Sequence, residues 1–413
     1  MSLIVALFLG LTISAEEIFR DRKILAREYF LSLSRGSYLT AKISVLTVVS
    51  ALQILLFLIV ANPVLEIRDL FPAYWLALFT TAICACLIGL NVSSAFRSAV
   101  AIYISIPLLM IPMMVLSGAM FPFDKLNRNI GSVGKVPVIA EMMPTRWTYE
   151  ALMVKQYTGN EYEKLVYDLK QQISNSDFTA VYRIPKIREA LDETIEQVSS
   201  GKTDSYTRLA LVSNEVKRLS NAGIATPFPG SDSLTPDLFT RSLGLRLSEW
   251  LEESNKEYVR RGNMADSNLD NFINDNRSYI SGIYDGCHND KLEEIMRKYY
   301  EKNKILEYRN RLIQNIDPIY LEPESGSIPQ FRAHFMAPAK IFMGKKTDTF
   351  AFNIILVLLS SVVLYIILYF EVLKKLITFI EDVDNQKNKN RVCIAHFFYI
   401  CTITSVPDER DCK

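Results

Sequence analysis

The chain is poor in nearly everything from which a catalytic or metal site is built. Three histidines, His288, His334 and His396, are spread through 413 residues, and none stands at metal-ligand spacing from another. The six cysteines form no Cys-x-x-Cys pair, and only Cys287 falls between residues 124 and 348, so that stretch has no disulfide of its own. Cys287 beside His288, and Cys393 near His396, are neighbours in sequence only, which does not make a nucleophile and its base. Gly131-Ser-Val-Gly134-Lys135 lacks the spacing and the closing Ser or Thr of a phosphate cradle. Gly344-Lys345-Lys346 fails in the same way and is expected to place a basic residue near a membrane surface. Charge of either sign is not in excess, with 46 Lys and Arg against 45 Asp and Glu, which removes the electrostatic basis for a nucleic-acid partner. The expectation is a chain that is no enzyme, binds no cofactor or metal, and engages no nucleic acid.

Apolar residues are what the chain has, and they are concentrated. Mean hydropathy is +0.13 although 22% of the residues are charged. Charge-free runs extend from Ile43 to Leu65, Phe71 to Phe96, Ser98 to Phe123 and Thr349 to Phe370, each of 22 residues or more. A bilayer core takes about 20 helical residues to cross, so four such runs predict four transmembrane helices. Residues 1–15 are also charge-free but short, without the basic start of a signal peptide. They read as the second half of a span. Pro107 and Pro112 should kink the third long run. The polar residues inside the runs, among them Gln53, Thr80, Thr81, Asn91, Ser93 and Ser94, are mild and suit helix–helix hydrogen bonds.

Lys and Arg counts orient these runs. The segment 16–42 carries Arg20, Arg22, Lys23, Arg27, Arg35 and Lys42 and is expected in the cytoplasm. The next link has Arg68 and should lie outside, the link with Arg97 inside, and Lys374 and Lys375 inside again. That alternation puts residues 124–348 outside as one extracytoplasmic domain, and 372–413 in the cytoplasm as a tail. Within the 225-residue loop, Glu161 to Ile173, Ile187 to Val198, Tyr206 to Leu219, Leu243 to Arg261 and Asp290 to Ile316 show helical spacing of apolar residues. The predicted fold class is therefore an α-helical polytopic membrane protein with a large, mainly helical extracytoplasmic domain.

Two segments carry more information. DRKILARE from Asp21 to Glu28, followed by YLTAK from Tyr38 to Lys42, alternates charge with Ile18, Phe19, Ile24, Leu25 and Phe30 and predicts an amphipathic helix on the membrane surface. A passive interfacial helix would show the same periodicity. LSGAMFPFDKL (116–126) and PTRWTYEAL (144–152) form the second segment, in which Pro144 is placed to begin a helix, and Trp147 and Tyr149 suit an interface.

Together these motifs resemble the ABC-2 type permeases of the ABCG, or White-like, transporters, over residues 1–160 and the last span. The resemblance implies that Asp21, Arg22, Arg27, Glu28, Tyr38 and Lys42 couple the membrane helices to an ATPase. It also implies that residues 137–152, with Pro144, Trp147, Tyr149 and Glu150, form a re-entrant segment dipping into the outer leaflet. ATP and Mg would be bound by a partner ATPase domain or subunit, and two permeases, alike or different, would pair in a lipid membrane. Family members have six spans and, in this group, a cassette ATPase fused upstream. The five runs here imply the C-terminal part of such a half-transporter, or a separate subunit. The expected function is ATP-driven movement of a hydrophobic or amphipathic substrate, as an exporter in a bacterial inner (cell) membrane. Two other readings remain: a membrane-anchored extracytoplasmic binding or sensing protein, and an inactive truncated fragment.

Overall fold

A computed structural model describes residues 1–28, 34–65, 67, 69–96, 98–121, 123, 136–199, 206–323 and 333–379. Arg68, Arg97, Gly131 to Lys135, and Cys393, His396, Cys401 and Cys412 of the tail lie outside them, as does the side chain of Glu28. The described chain divides into two compact units. One takes in Met1–Gln53, Phe79–Pro112 and the chain from Leu358 onward, and the other Ile54–Leu78 and Met113–Val357.

The apolar helices are α1 (Ser2–Ser14), α3 (Arg35–Val64), α4 (Phe71–Ala95), α5 (Ala99–Val115) and α14 (Thr349–Tyr369), with the charged helix α2 (Glu17–Glu28) after α1. Ala15 keeps helical dihedrals, so α2 continues almost directly from α1, and Ser2–Leu25 is together long and apolar enough to cross a membrane. So are Arg35–Val64, Phe71–Ala95 and Thr349–Tyr369.

The run from Ser98 to Phe123, read as a full span, is helical only over the 17 residues of α5. At 1.5 Å per residue that is about 26 Å. The physical reason is the turn at its C-terminal end. Ser117 donates its hydroxyl to the Met114 carbonyl and Gly118 sits at φ +80°, a conformation open to glycine but costly for other residues. A Cβ on Gly118 would also lie 2.7 Å from the Phe335 ring and 2.9 Å from that of Phe123.

In the first unit α1 and α4 approach closely. A Cβ on Gly10 would sit 2.5 Å from the Ala82 carbonyl oxygen, so only a bare backbone fits there. Some polar side chains inside the apolar helices bond between helices as their mildness suggests, whereas Ser94 donates to the Asn91 carbonyl of its own helix. Asn91 donates to the carbonyls of Leu87 and of Leu364 on α14, and Ser50 meets Cys86 at 3.4 Å.

The second unit holds the rest: short α6 (Val138–Glu141), α7 (Pro144–Thr158), α8 (Glu161–Phe178), α9 (Ile184–Ser199), α10 (Tyr206–Asn221), α11 (Arg241–Asp275), α12 (Arg277–Cys287) and α13 (Asp290–Arg297). Five residues of π-helix, Thr179–Arg183, join α8 to α9, and the Ile184 amide reaches back to the Thr179 carbonyl. The main core is formed by Ile184, Ile187 and Leu191 of α9, Leu209, Val212, Val216 and Leu219 of α10, and Leu243, Leu247, Trp250, Leu251 and Tyr258 of α11. These positions recur every three or four residues, the spacing of one helix face.

Asp290 to Ile316, expected to be helical throughout, is helical only to Arg297. Lys298 turns left-handed at φ +52°, and an antiparallel hairpin comes next, β1 (Ile305–Glu307) with β2 (Leu312–Gln314). The chain there is held from outside itself: the Leu312 amide donates to the buried carboxylate of Glu215 at 2.9 Å. Asp317, at φ +50°, then accepts from Arg297 Nε and Ser174 Oγ, both at 2.8 Å. A second hairpin, β3 (Ala339–Phe342) and β4 (Lys345–Asp348), runs directly into α14.

Candidate functional site

The first informative segment becomes a brace. α2 turns one side toward α3, where Lys42 Nζ lies 2.6 Å from Glu17 Oε2 and 2.7 Å from Asp21 Oδ2. The Tyr38 hydroxyl donates to Asp21 at 3.1 Å. On another side Arg22 donates to the Ser94 and Phe96 carbonyls at the C-terminal end of α4, at 3.2 and 2.9 Å. Those carbonyls have no intrahelical partner, and a cation suits the negative end of a helix dipole. The Phe19 amide donates to Ser93 Oγ at 3.0 Å. Beneath the polar ties, Ile18 packs with Leu39, Leu46, Cys86, Leu87 and Leu90. Among the described side chains of α2, those that stay exposed form one stripe, Arg20, Lys23, Ile24 and Arg27, at the i, i+3, i+4, i+7 spacing of a single face.

The second segment becomes a buried charge cluster. Pro144 opens α7 after an extended Met143, and Thr145 donates to the Met113 carbonyl at 2.6 Å. One turn on, Glu150 is fully buried. Its Oε2 accepts from Lys340 Nζ at 2.7 Å and Asn353 Nδ2 at 2.9 Å, with Arg146 at 3.3 Å, and its Oε1 accepts from the Met336 amide at 3.1 Å. Trp147 is the platform for these cations, with the Arg146 guanidinium 3.9 Å and the Lys340 ammonium 4.8 Å from its ring. Its indole N–H donates to the Glu141 carbonyl, tying α6 to α7, and its own carbonyl accepts from Asn353. Tyr149 stacks on Phe335 with ring centroids 6.3 Å apart.

Burial works against ionisation of Glu150, but Arg146 and Lys340 together hold its carboxyl below the usual carboxylate range. Burial likewise pushes the Lys340 ammonium down, to about 8, against the pull of Glu150. Such an arrangement positions backbone. It has no open face for a reactant, and no group of three metal-capable side chains occurs among the described residues.

Residues 1–157, which end with α7, match the family model of the ABC-2 type transporters. The similarity covers helices α1 to α7 and not the last apolar helix, α14. Neither a curated protein nor a solved structure matches the chain. An ABC-2 domain is the membrane permease of an ABC transporter, and this similarity, with four helices among the described residues long and apolar enough to cross a membrane, supports an integral membrane protein. Domains of this type work with an ABC ATPase and are not themselves catalytic.

Within the ABC-2 segment the structure brings Asp21, Tyr38 and Lys42 into one cluster and sets Arg22 against α4. Arg27 lies apart on the exposed stripe. Pro144, Trp147 and Glu150 are buried together, with Tyr149 half-buried at their side. Sequence reasoning missed Glu17, Lys340 and Asn353. Asn353 carried a usable signal, as the one amide in the charge-free run from Thr349. Lys340 carried none.

Proposed function

We propose that the chain is the permease part of an ATP-driven exporter for a hydrophobic or amphipathic substrate, driven through α2. ATP and Mg are bound by the partner ATPase, and two permease copies form the pathway in a bacterial inner membrane. In this reading residues 124–348 lie on the extracytoplasmic side, and α6 with α7 is the re-entrant pair in the outer leaflet. The alternation of Lys and Arg along the chain supports that orientation.

The observation that carries the reading is the division of labour on α2. Asp21, Arg22, Tyr38 and Lys42 fasten the helix to α3 and α4, while Arg20, Lys23, Ile24 and Arg27 face outward. A partner pressing on the outward stripe moves both apolar helices, because the ties on the other sides carry the displacement. Helix 17–28 is in this sense a lever; of the residues the resemblance assigns to coupling, Asp21, Arg22, Tyr38 and Lys42 are its fastenings and Arg27 is part of its handle.

The experiment is charge reversal on the handle. Lys23→Glu with Arg27→Glu, in the chain reconstituted with its ATPase in proteoliposomes, is expected to cut substrate-stimulated ATP hydrolysis and transport at least tenfold at normal membrane insertion. Unchanged transport by that variant would remove the coupling role from α2.

A further inference from the structure

The β3–β4 hairpin has no part in the coupling described above. Its connection is the two-residue Met343-Gly344 turn, with φ +49° and +78° and with Phe342 paired to Lys345. That is the turn of a tight hairpin, where Asn, Asp or Gly is the ordinary first residue. A methionine there is held in a left-handed conformation that its Cβ disfavours, and its side chain projects from the apex, 75% exposed. Phe342 before it is 47% exposed. Two large apolar side chains thus form the tip of a hairpin whose other exposed side chains are Lys345, Lys346 and Asp348.

The position of the tip says what covers it. β4 ends at Asp348 and α14 begins at Thr349, with Asp348 accepting from the Ala351 amide in the first turn. The Phe342 ring lies 5.9 Å from Phe352, on the first turn of that apolar helix, and Ile355 one turn further is 64% exposed. The apolar surface of the membrane helix therefore continues onto the hairpin without a break. Lys345 is exposed behind the tip, and Lys346 reaches Glu322 at 2.7 Å. Aromatic and flexible apolar side chains ahead of basic ones are the composition that settles at the boundary between acyl chains and headgroups.

We infer that the β3–β4 hairpin is an interfacial anchor whose tip, Phe342 and Met343, inserts into the lipid bilayer beside the start of α14. This rests on α14 crossing the membrane and not on the transport reading, so either can fail without the other. The anchor bears directly on the buried cluster. Lys340, two residues before Phe342 on the same strand, holds Glu150 of α7, so lipid contact at the tip fixes the strand that fixes α7.

The test uses the full chain in nanodiscs, with tryptophan as a depth probe. Met343→Trp and Phe342→Trp, the second retaining an aromatic ring against Phe352, are each compared with the native chain. The added emission of both variants is expected to fall at least twofold in phosphatidylcholine brominated near the headgroup end of its acyl chains, and to change little with aqueous iodide. Quenching by iodide but not by brominated lipid would overturn the anchor. So would protection from both quenchers together with cross-linking of the tip to a second copy of the chain.

Discussion

Lys340 donates to Glu150 at 2.7 Å across 190 residues of sequence, joining the strand before the last apolar helix to the helix that closes the ABC-2 segment. Neither side chain has water to turn to. Each one's charge is tolerable only because the other, with Arg146 and Asn353, is there.

Removing the acid should therefore cost more than removing the pair. Glu150→Ala leaves Lys340 and Arg146 facing each other and is expected to lower stability by about 3–5 kcal/mol. Glu150→Gln, which can still accept from Asn353 and the Met336 amide, should lose less. Thermal unfolding monitored by tryptophan emission, with Trp147 as the local reporter, checks the order. Equal losses for the two variants would mean that the carboxylate charge, and not the shape or the remaining hydrogen bonds, is what the site requires.

The pH dependence of the same site has a definite sign. Burial holds Lys340 at about 8 in the folded chain, whereas an unfolded lysine keeps its proton to about 10.4. Between those values the unfolded chain binds more protons, so the Lys340 contribution to stability grows as pH rises through that window. Below about 8 both states are protonated and the contribution is flat. Native-minus-Lys340→Met differences in unfolding midpoint, taken from about pH 7 to 10, should rise with pH.

Arg22→Ala should loosen α2 without disturbing the apolar helices. It strips donors from the Ser94 and Phe96 carbonyls, a loss of about 1–3 kcal/mol for bonds made by a charged group. Limited proteolysis between α2 and α3 is expected to become several times faster while membrane insertion is unchanged.

Gly10→Val tests the approach of α1 to α4. The obstacle is the Ala82 carbonyl oxygen, which is backbone and has no rotamer into which to retreat. Overpacking of this kind costs about 1–3 kcal/mol. The yield of folded protein in mild detergent should drop, where Gly282→Ala, with nothing within 4 Å of its Cβ position, should leave it unchanged.

Much of this was legible in the residues because charge is so unwelcome in a bilayer. The runs at 43–65, 71–96 and 349–370 announced their helices by excluding charge, and each is helical in the structure. The same logic could not see where α5 stops. Leu116 to Phe121 is as uncharged as the helix before it, and the stop is written in the dihedral of Gly118 and the rings above it. Asp290 to Ile316 misled for a related reason. Its apolar spacing suits a helix, but β2 is fixed by the carboxylate of Glu215, almost a hundred residues away. Glu150 was singled out within a motif, yet nothing in Lys340 marked it as the counter-ion, because local pattern carries no information about contacts between distant segments.

The five π-helical residues between α8 and α9 impose a reading frame on the helix they lead into. Each residue advances a helix by about 100°, so the wider π turn decides which way Ile184, Ile187 and Leu191 point when α9 begins. Adding one residue to Thr179–Arg183 would swing that trio away from Leu247 and Leu251 by that angle and bring Arg183, Lys186 and Ala190 round in its place. Substitutions in this stretch are local events, whereas a change in its length is felt at every later position of the helix.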